Sequence, residues 1–386
     1  MSRTFVRSTL IAAIVVLLVL LAAMSFLFVK TVSPPGVVQI PDTRMTWVRS
    51  IYGFGPSAEE QFAHPYSVAI DSNGDIYATD PERARILVFA RHGDFKRIVH
   101  TGGGGTEPGM FQRPESIALD ARDNLYIADS WGNKVVVFDP EGHFVREWSV
   151  PGQPRGIAVN SRQVYVLGPG TVYVYSAAGE ALRQFGTRGK RPGQIDAYQG
   201  IAVRDGRVYI ADSYNHRIQA FDTQGTLAWS SPAEAAVEVS TETSRAPDEK
   251  DLPVWDLPQD LTFDGVGNLV VADAFRFELV VVNPKNGDVL GAYGGVGTKD
   301  GEFYYPTSVA YDESRDWFVV ADTQNQRLQV VRLPDTAGPS ALAIARRLES
   351  SPWRYVALPG LLLTMLLVFS VYKWHRWGRD RASDMS

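Results

Sequence analysis

Residues 208–225 read VYIADSYNHRIQAFDTQG, and the rest of the chain is arranged as copies of this stretch. Residues 208–211 are apolar and β-prone, and 212–216 carry turn chemistry. Residues 217–221 alternate polar and apolar, as a strand with one buried face does. Residues 222–225 supply a second turn. The unit is two short strands and a tight link, with Asp212 closing the first strand and Asn215-His216-Arg217 opening the second. Related stretches occupy 125–142 (LYIADSWGNKVVVFDPEG) and 318–331 (FVVADTQNQRLQVV), with looser copies at 76–93 and 269–287. Self-similarity of this kind settles the architecture before any single residue does.

Working outward, each copy is preceded by a short strand: 67–71 (SVAID), 116–120 (SIALD), 156–160 (GIAVN), 200–204 (GIAVR), 260–264 (DLTFD) and 308–312 (SVAYD). These six are spaced roughly 40 to 60 residues apart, the range for four-stranded propeller blades. Second strands are expected to end at Asp80, Asp129, Gly168, Asp212, Asp273 and Asp322. Third strands should open at Arg85, Lys134, Thr171, Arg217, Glu278 and Arg327. Fourth strands follow near 95–100, 144–149, 181–186, 226–230 and 289–293. The sixth repeat has none, and the lone strand 46–52 (TWVRSIY) fits the vacancy. The expected fold is all-β: a six-bladed β-propeller over 46–333, closed by its N-terminal strand so that no sheet edge opens at the seam.

The chain from 46 to 333 resembles an NHL-repeat six-bladed β-propeller. Asn215-His216-Arg217-Ile218 carries that family's asparagine-basic-aliphatic pattern. Asn133-Lys134-Val135 and Asn325-Gln326-Arg327-Leu328 carry it in part. The linkers 53–65 and 294–306 (GGVGTKDGEFYYP) are similar to the family's Gly-rich, Gly-Glu-Phe, Pro linker. Blade three departs, with Gly168-Pro169-Gly170 in place of the Asp and the turn. The resemblance implies a binding platform, a sensor domain or, occasionally, an enzyme, so it speaks for the fold and leaves the function open.

Composition narrows the classes. Across 386 residues the net charge is -5 and no long basic run occurs, which argues against nucleic acid as a partner. Cysteine is absent, excluding disulfides, thiolate metal sites and a Cys nucleophile. Residues 10–29 are an uncharged apolar run long enough to span a bilayer, and 355–372 form a second, near the lower limit. Arg3 and Arg7 precede the first; Lys373, Arg376, Arg379 and Arg381 follow the second. By the positive-inside rule both termini are cytoplasmic and the propeller lies outside, in a two-pass cell-membrane protein. The expected organisation is an anchor (1–30), a linker (31–45), the propeller (46–333), a linker with an amphipathic stretch at 341–349 (334–352), a second transmembrane helix (353–373) and a short basic tail (374–386). The acidic insertion 231–253 reads as a surface loop.

Antiparallel order places the blade-to-blade linkers and the links between second and third strands on one face, here called upper. The compact turns between first and second and between third and fourth strands lie on the lower face. Both membrane linkers leave from the lower face, so the upper face should look away from the bilayer. It offers Trp131, Tyr214 and Phe275 on corresponding links, and exposed loop aromatics mark binding surfaces. Around the axis, at or just before the inner strands, come Tyr66, Glu115, Arg155, Gln199, Gln259, Asp260 and Thr307, a polar ring able to hold a small ligand or a partner's side chain. The strand-end Asp residues read as structural: each should accept backbone amides of the turn it opens, with the following Arg or Lys pairing to such an Asp across blades.

These features favour a non-enzymatic, membrane-tethered binding or scaffold module that meets a protein partner with its upper face and needs no cofactor. The alternative is a propeller enzyme with a site at the channel mouth. A metal-dependent lyase, which the resemblance allows, needs clustered channel histidines. His64, His92, His100, His143, His216 and His375 are scattered, and none lies in an inner strand. A lactonase-like hydrolase needs carboxylates and amides converging on the axis, and Glu115, Asp260, Gln199 and Gln259 are a thin version of that set.

Overall fold

Residues 44–101, 107–197, 199–231 and 255–338 are described by a computed structural model of the chain. Within them lie six four-stranded antiparallel sheets, each in simple sequential order except the last, whose outermost strand is Thr46–Ile51. That strand pairs antiparallel with Arg327–Arg332, Thr46 opposite Arg332 and Ile51 opposite Leu328. The expected strand ends are observed: second strands close at Asp80, Asp129, Gly168, Asp212, Asp273 and Asp322, and third strands open at Arg85, Lys134, Thr171, Arg217, Glu278 and Arg327. No helix among the described residues is long and apolar enough to cross a membrane. The apolar runs 10–29 and 355–372, the stretch 341–349 and nearly all of the acidic insertion lie outside the described residues.

The core is divided among the blade interfaces. Each pair of neighbouring blades encloses its own apolar cluster, such as Val68, Ala78, Leu87, Val319 and Leu328 between blades one and six. Another holds Tyr209, Ala220, Trp255, Leu261 and Val271 between blades four and five. Alternating Val, Ile and Ala let neighbouring sheets stack face to face. Burial of these side chains at roughly 25 cal/mol per Å² is what holds one blade to the next.

Near the axis the inner strands are cross-bonded at one register position. Ser308 Oγ accepts from Val68 N at 3.1 Å, Ser67 Oγ from Ile117 N at 3.3 Å, and Ser116 Oγ from Ile157 N at 3.3 Å. In blade five Asp260 Oδ2 takes this role toward Val309 N, at 3.3 Å. Blades three and four have glycine here. A Cβ on Gly156 would stand 1.9 Å from Gln199 O, so the next blade rests directly on the backbone.

The strand-end Asp residues differ from expectation in whom they bind. They reach back to the linker that leads into their own blade. Asp80 Oδ1 accepts from His64 N at 3.1 Å, Asp129 Oδ1 from Arg113 N at 2.8 Å, Asp212 Oδ1 from Asp196 N at 2.6 Å, and Asp322 Oδ1 from Tyr304 N at 2.7 Å. Asp273 does both, taking Asp256 and Leu257 N from the linker and Phe275 and Arg276 N from the turn. The arginine pairs within its blade, not across blades: Arg217 Nε lies 2.7 Å from Asp212 Oδ2 and Arg327 Nε 2.8 Å from Asp322 Oδ2. Its remaining nitrogens donate to linker carbonyls, Arg217 Nη2 to Arg191 and Gln194 O at 2.9 Å each. Gln219 completes the clamp, donating to Gln194 O and to Asp212 Oδ2 while its Oε1 accepts from Gly193 N. Carboxylate, guanidinium and amide together satisfy both the donors and the acceptors of an otherwise irregular linker.

At the lower end the outermost strand of every blade carries a β-bulge. Phe138 pairs with Phe144 but Val137 with Arg146, leaving Val145 over. By the same step Lys96, Leu182, Ala228, Leu290 and Val48 are left over in the other blades. The residue after the bulge then reaches the outer turn of the next blade. Arg97 donates to Pro140 O at 2.6 Å, Arg183 to Thr223 O at 2.8 Å and Trp229 Nε1 to Pro284 O at 3.0 Å; Arg49 and Arg146 reach His92 O and Ala177 O. Between blades five and six no such turn exists, because blade six borrows its last strand from the N-terminal side. The chain after Leu333 staples that seam instead: Gly265 N donates to Thr336 O at 2.9 Å, and Thr336 Oγ1 to Asp316 Oδ1 at 3.0 Å.

Candidate functional site

The links between second and third strands share one conformation. In blades one, two, four, five and six the fourth residue after the Asp, namely Ala84, Asn133, His216, Phe277 or Gln326, is left-handed. This short turn tucks the first link residue inward and throws the second outward. Ser213 Oγ donates to Pro258 O at 2.6 Å and Thr323 Oγ1 to Pro65 O at 2.6 Å, each reaching the next blade. Trp131, Tyr214 and Phe275 occupy the outward position and are 61%, 51% and 50% exposed. They stand on blades two, four and five as separate contact points. Phe275 packs edge-on against Tyr305, with centroids 5.5 Å apart.

Trp131 has the most developed surroundings. A cleft of about 500 Å³ opens between blades one and two, floored by Pro81 and Ala84 and edged by Arg83, Gln112, Arg113 and Trp131. The Asp129 clamp builds it. Asp129 holds Gln112 N and Arg113 N, and Ser130 N donates to Arg113 O at 3.1 Å, so Arg113 and Trp131 are fixed side by side. The Arg113 guanidinium lies 5.3 Å from the Trp131 ring centre, and its Nε donates to Glu115 Oε1 at 2.9 Å. Among the described residues its terminal nitrogens have no partner and remain available to a ligand. Arg83 is spent structurally, on Asp80, Gln61 O and Ala58 O. Glu82 faces His64 Nδ1 at 3.0 Å. Arg113 and Gln112 were not picked out in the sequence, although a cation two residues before Glu115 in the linker is the signal that marks them.

The ring residues are brought together differently from an open funnel. Tyr66, Glu115, Gln199, Gln259 and Thr307 are buried, and Arg155 is half-buried. Thr307 Oγ1 donates to Tyr66 O at 2.7 Å. Gln199 Nε2 reaches past blade five to Thr307 O at 2.7 Å, so a side chain crosses the upper channel. Arg155 Nη2 turns outward to Gln153 Oε1. Among the described residues Glu115 Oε2, Gln199 Oε1 and Gln259 Oε1 are buried acceptors without a donor. Asp260 keeps part of its surface toward the channel, yet the protein around its carboxyl pushes its pKa from 3.8 up to about 6, against the opposing pull of the Ser308 hydroxyl.

The histidines stay apart. His143 lies on a lower turn beside Asp139, and His216 Nδ1 contacts Asp256 O. Among the described residues no three His, Asp or Glu side chains gather as a metal site would require.

Comparison with known proteins agrees with this architecture. Residues 62–167 match a family model described as a 6-bladed beta-propeller, and residues 199–221 match the NHL repeat. NHL repeat-containing protein 3 of Homo sapiens is 27% identical over 173 residues, 42% of this chain and 45% of that protein, so the match spans under half of that relative's length. A streptogramin B lyase superposes with a TM-score of 0.50 at 11% identity, over 75% of this chain and 98% of the lyase. An auxiliary nutrient binding protein from Bacteroides thetaiotaomicron does so with 0.53 at 12% identity, over 74% and 75%. At such identities the likeness concerns the fold alone. The described residues form a six-bladed β-propeller. Within its fourth blade, residues 199–221 match the NHL repeat.

Proposed function

We propose that this chain is a non-enzymatic binding module, held at the outer surface of a cell membrane by residues 10–29 and 355–372, which grips a protein partner with its upper face. The observation that carries the reading is the Trp131–Arg113 cleft. A large exposed ring, a guanidinium with unspent donors and a rigid backbone clamp beneath them are the ingredients of an interface anchor. Two further features support it. The described propeller begins and ends on the lower face, with Thr46 opposite Arg332 and Thr336 bonded to a lower turn. The upper aromatics also sit on links tied down by the Asp clamps, so a partner meets a surface already ordered, which lowers the entropic cost of association.

The test is site-specific photo-crosslinking in whole cells. A photoreactive residue at position 131 should yield a discrete protein adduct, and one at Arg122 on a lower turn should not. Adducts from position 122 alone would move the partner to the opposite face and end this reading.

A further inference from the structure

Among the exposed large apolar side chains two sets stand out. One is the upper set described above. The other lies at the lower end of the outermost strands: Trp47, Phe144, Val145, Leu182, Val289 and Leu290, between 40% and 55% exposed. Val145, Leu182 and Leu290 are the residues left over by the bulges of blades two, three and five, so the same distortion pushes each outward at the same height. A bulge at a sheet edge discourages edge-to-edge pairing, and the usual residue to place there is charged. Blade one obeys, with Lys96 beside Asp75. In blades two, three and five a large exposed aliphatic group takes the place, while blade four has the small Ala228 and blade six the half-buried Val48 there.

We propose that this bulged lower rim seats the propeller in the headgroup layer of a lipid bilayer. The inference rests on the reading that residues 10–29 and 355–372 span the membrane. Three observations select lipid over other occupants. The apolar groups are spread around the circumference on separate blades, so one flat surface parallel to the lower face meets them together, whereas a globular partner would have to encircle the domain. The two ends of the propeller leave on that same face, with Thr46 opposite Arg332 and Thr336 bonded to the lower turn of blade five. The stretches from there to the apolar runs are about 15 residues each, which for a flexible chain spans roughly 20 Å. A rim of scattered aliphatic groups is a weak ligand for lipid when free. Held at that distance by two tethers it meets the bilayer at high effective concentration, and weak affinity suffices.

The absence of cysteine makes a direct test clean. Single-cysteine variants of the full-length protein in phosphatidylcholine nanodiscs carry a nitroxide at Leu182→Cys, Leu290→Cys, Tyr214→Cys, Leu18→Cys or Leu363→Cys. Collisional relaxation is read with oxygen, which concentrates in lipid, and with a water-soluble nickel chelate. The expected result is an oxygen-to-nickel ratio at 182 and 290 at least threefold above that at 214, with 18 and 363 higher still. If 18 and 363 lie in lipid while 182 and 290 match 214, the rim inference is overturned and the tether stands. If 18 and 363 are themselves water-exposed, both fail. Dipolar broadening between copies at 290, with no oxygen enrichment, would assign the rim to a second chain and overturn the lipid proposal.

Discussion

At the upper end of blade four, Asp212 binds an amide 16 residues upstream; at the lower end, Asp222 binds the amides of Gln224 and Thr226, two and four residues on. The pattern holds around the ring except in blade three, where Gly168 stands in place of the upper Asp. Asp71, Asp120, Asp264 and Asp312 close their lower turns locally, through amides two to four residues away. The upper Asp residues close linkers that only folding brings near. The lower turns are self-sufficient, while the upper face exists only once each blade has captured its linker. Ordering built from distant contacts is cooperative, and it orders the end that carries the proposed binding surface.

The contrast breaks most visibly at the clamp. Asp212→Ala leaves the buried Arg217 guanidinium without its counter-charge and should cost about 3–5 kcal/mol in chemical denaturation. A lower-turn counterpart, Asp120→Ala, should cost about 1 kcal/mol, since water can replace what a half-exposed Asx turn loses. Equal losses would mean that the two ends are not held differently after all. Next in size is the functional effect. Trp131→Ala with Tyr214→Ala should weaken partner capture at least tenfold, roughly 1.4 kcal/mol, and leave the melting temperature nearly unchanged. Charge changes at Arg122 and Glu141 on lower turns should leave capture intact. The reverse outcome would place the partner on the lower face.

The smallest expected effect sharpens the comparison at the axis. Asp260 is a carboxyl whose pKa is raised by its surroundings to about 6. Its folded form binds more protons than its unfolded form between about pH 4 and pH 6, so it weakens the fold as pH rises through that window and no further above it. Asp260→Asn keeps an acceptor for Ser308 and removes the charge. It should flatten this part of the pH-stability profile, by roughly 1 kcal/mol at most given access to channel water. A profile unchanged by the substitution would show that the carboxyl is effectively solvated.

Much of this was legible in the amino-acid order. A strand's alternation and an Asp before a turn are local, so every second-strand end and third-strand start could be read directly. The missing fourth strand of blade six pointed to Thr46–Ile51 because a propeller cannot leave an edge open. The clamp was read only halfway. Asp212 and Arg217 stand out in sequence, but their partners are backbone atoms of Arg191, Gln194 and Asp196, and a main-chain atom carries no sequence signature. The bulges were invisible for a similar reason, since Leu182 and Leu290 look like ordinary members of an alternating strand until the register slips. The polar ring was read from the sequence as an open mouth, yet Gln199 crosses it to Thr307, a choice of rotamer rather than of residue type. Arg113 carries a local signal, a cation two residues before Glu115, but its alignment with Trp131 depends on the Asp129 clamp and has no mark in the sequence.

The seam between blades five and six bears on how this domain carries load. Elsewhere a neighbour's arginine or tryptophan bridges each pair of blades at the lower end; here the tail at Thr336 does so, and the closing strand begins directly opposite Arg332. Tension that draws the two chain ends apart would, without the tail, peel Thr46–Ile51 from its partner one hydrogen bond at a time, the weakest way to load an antiparallel pair. With Thr336 fastened to Gly265 and Asp316, the pull on the C-terminal side is taken up in blades five and six before it reaches the zipper. A short stretch that looks like the frayed end of the last repeat thus acts as a strain relief, and the ring can stay shut while its two ends are pulled sideways.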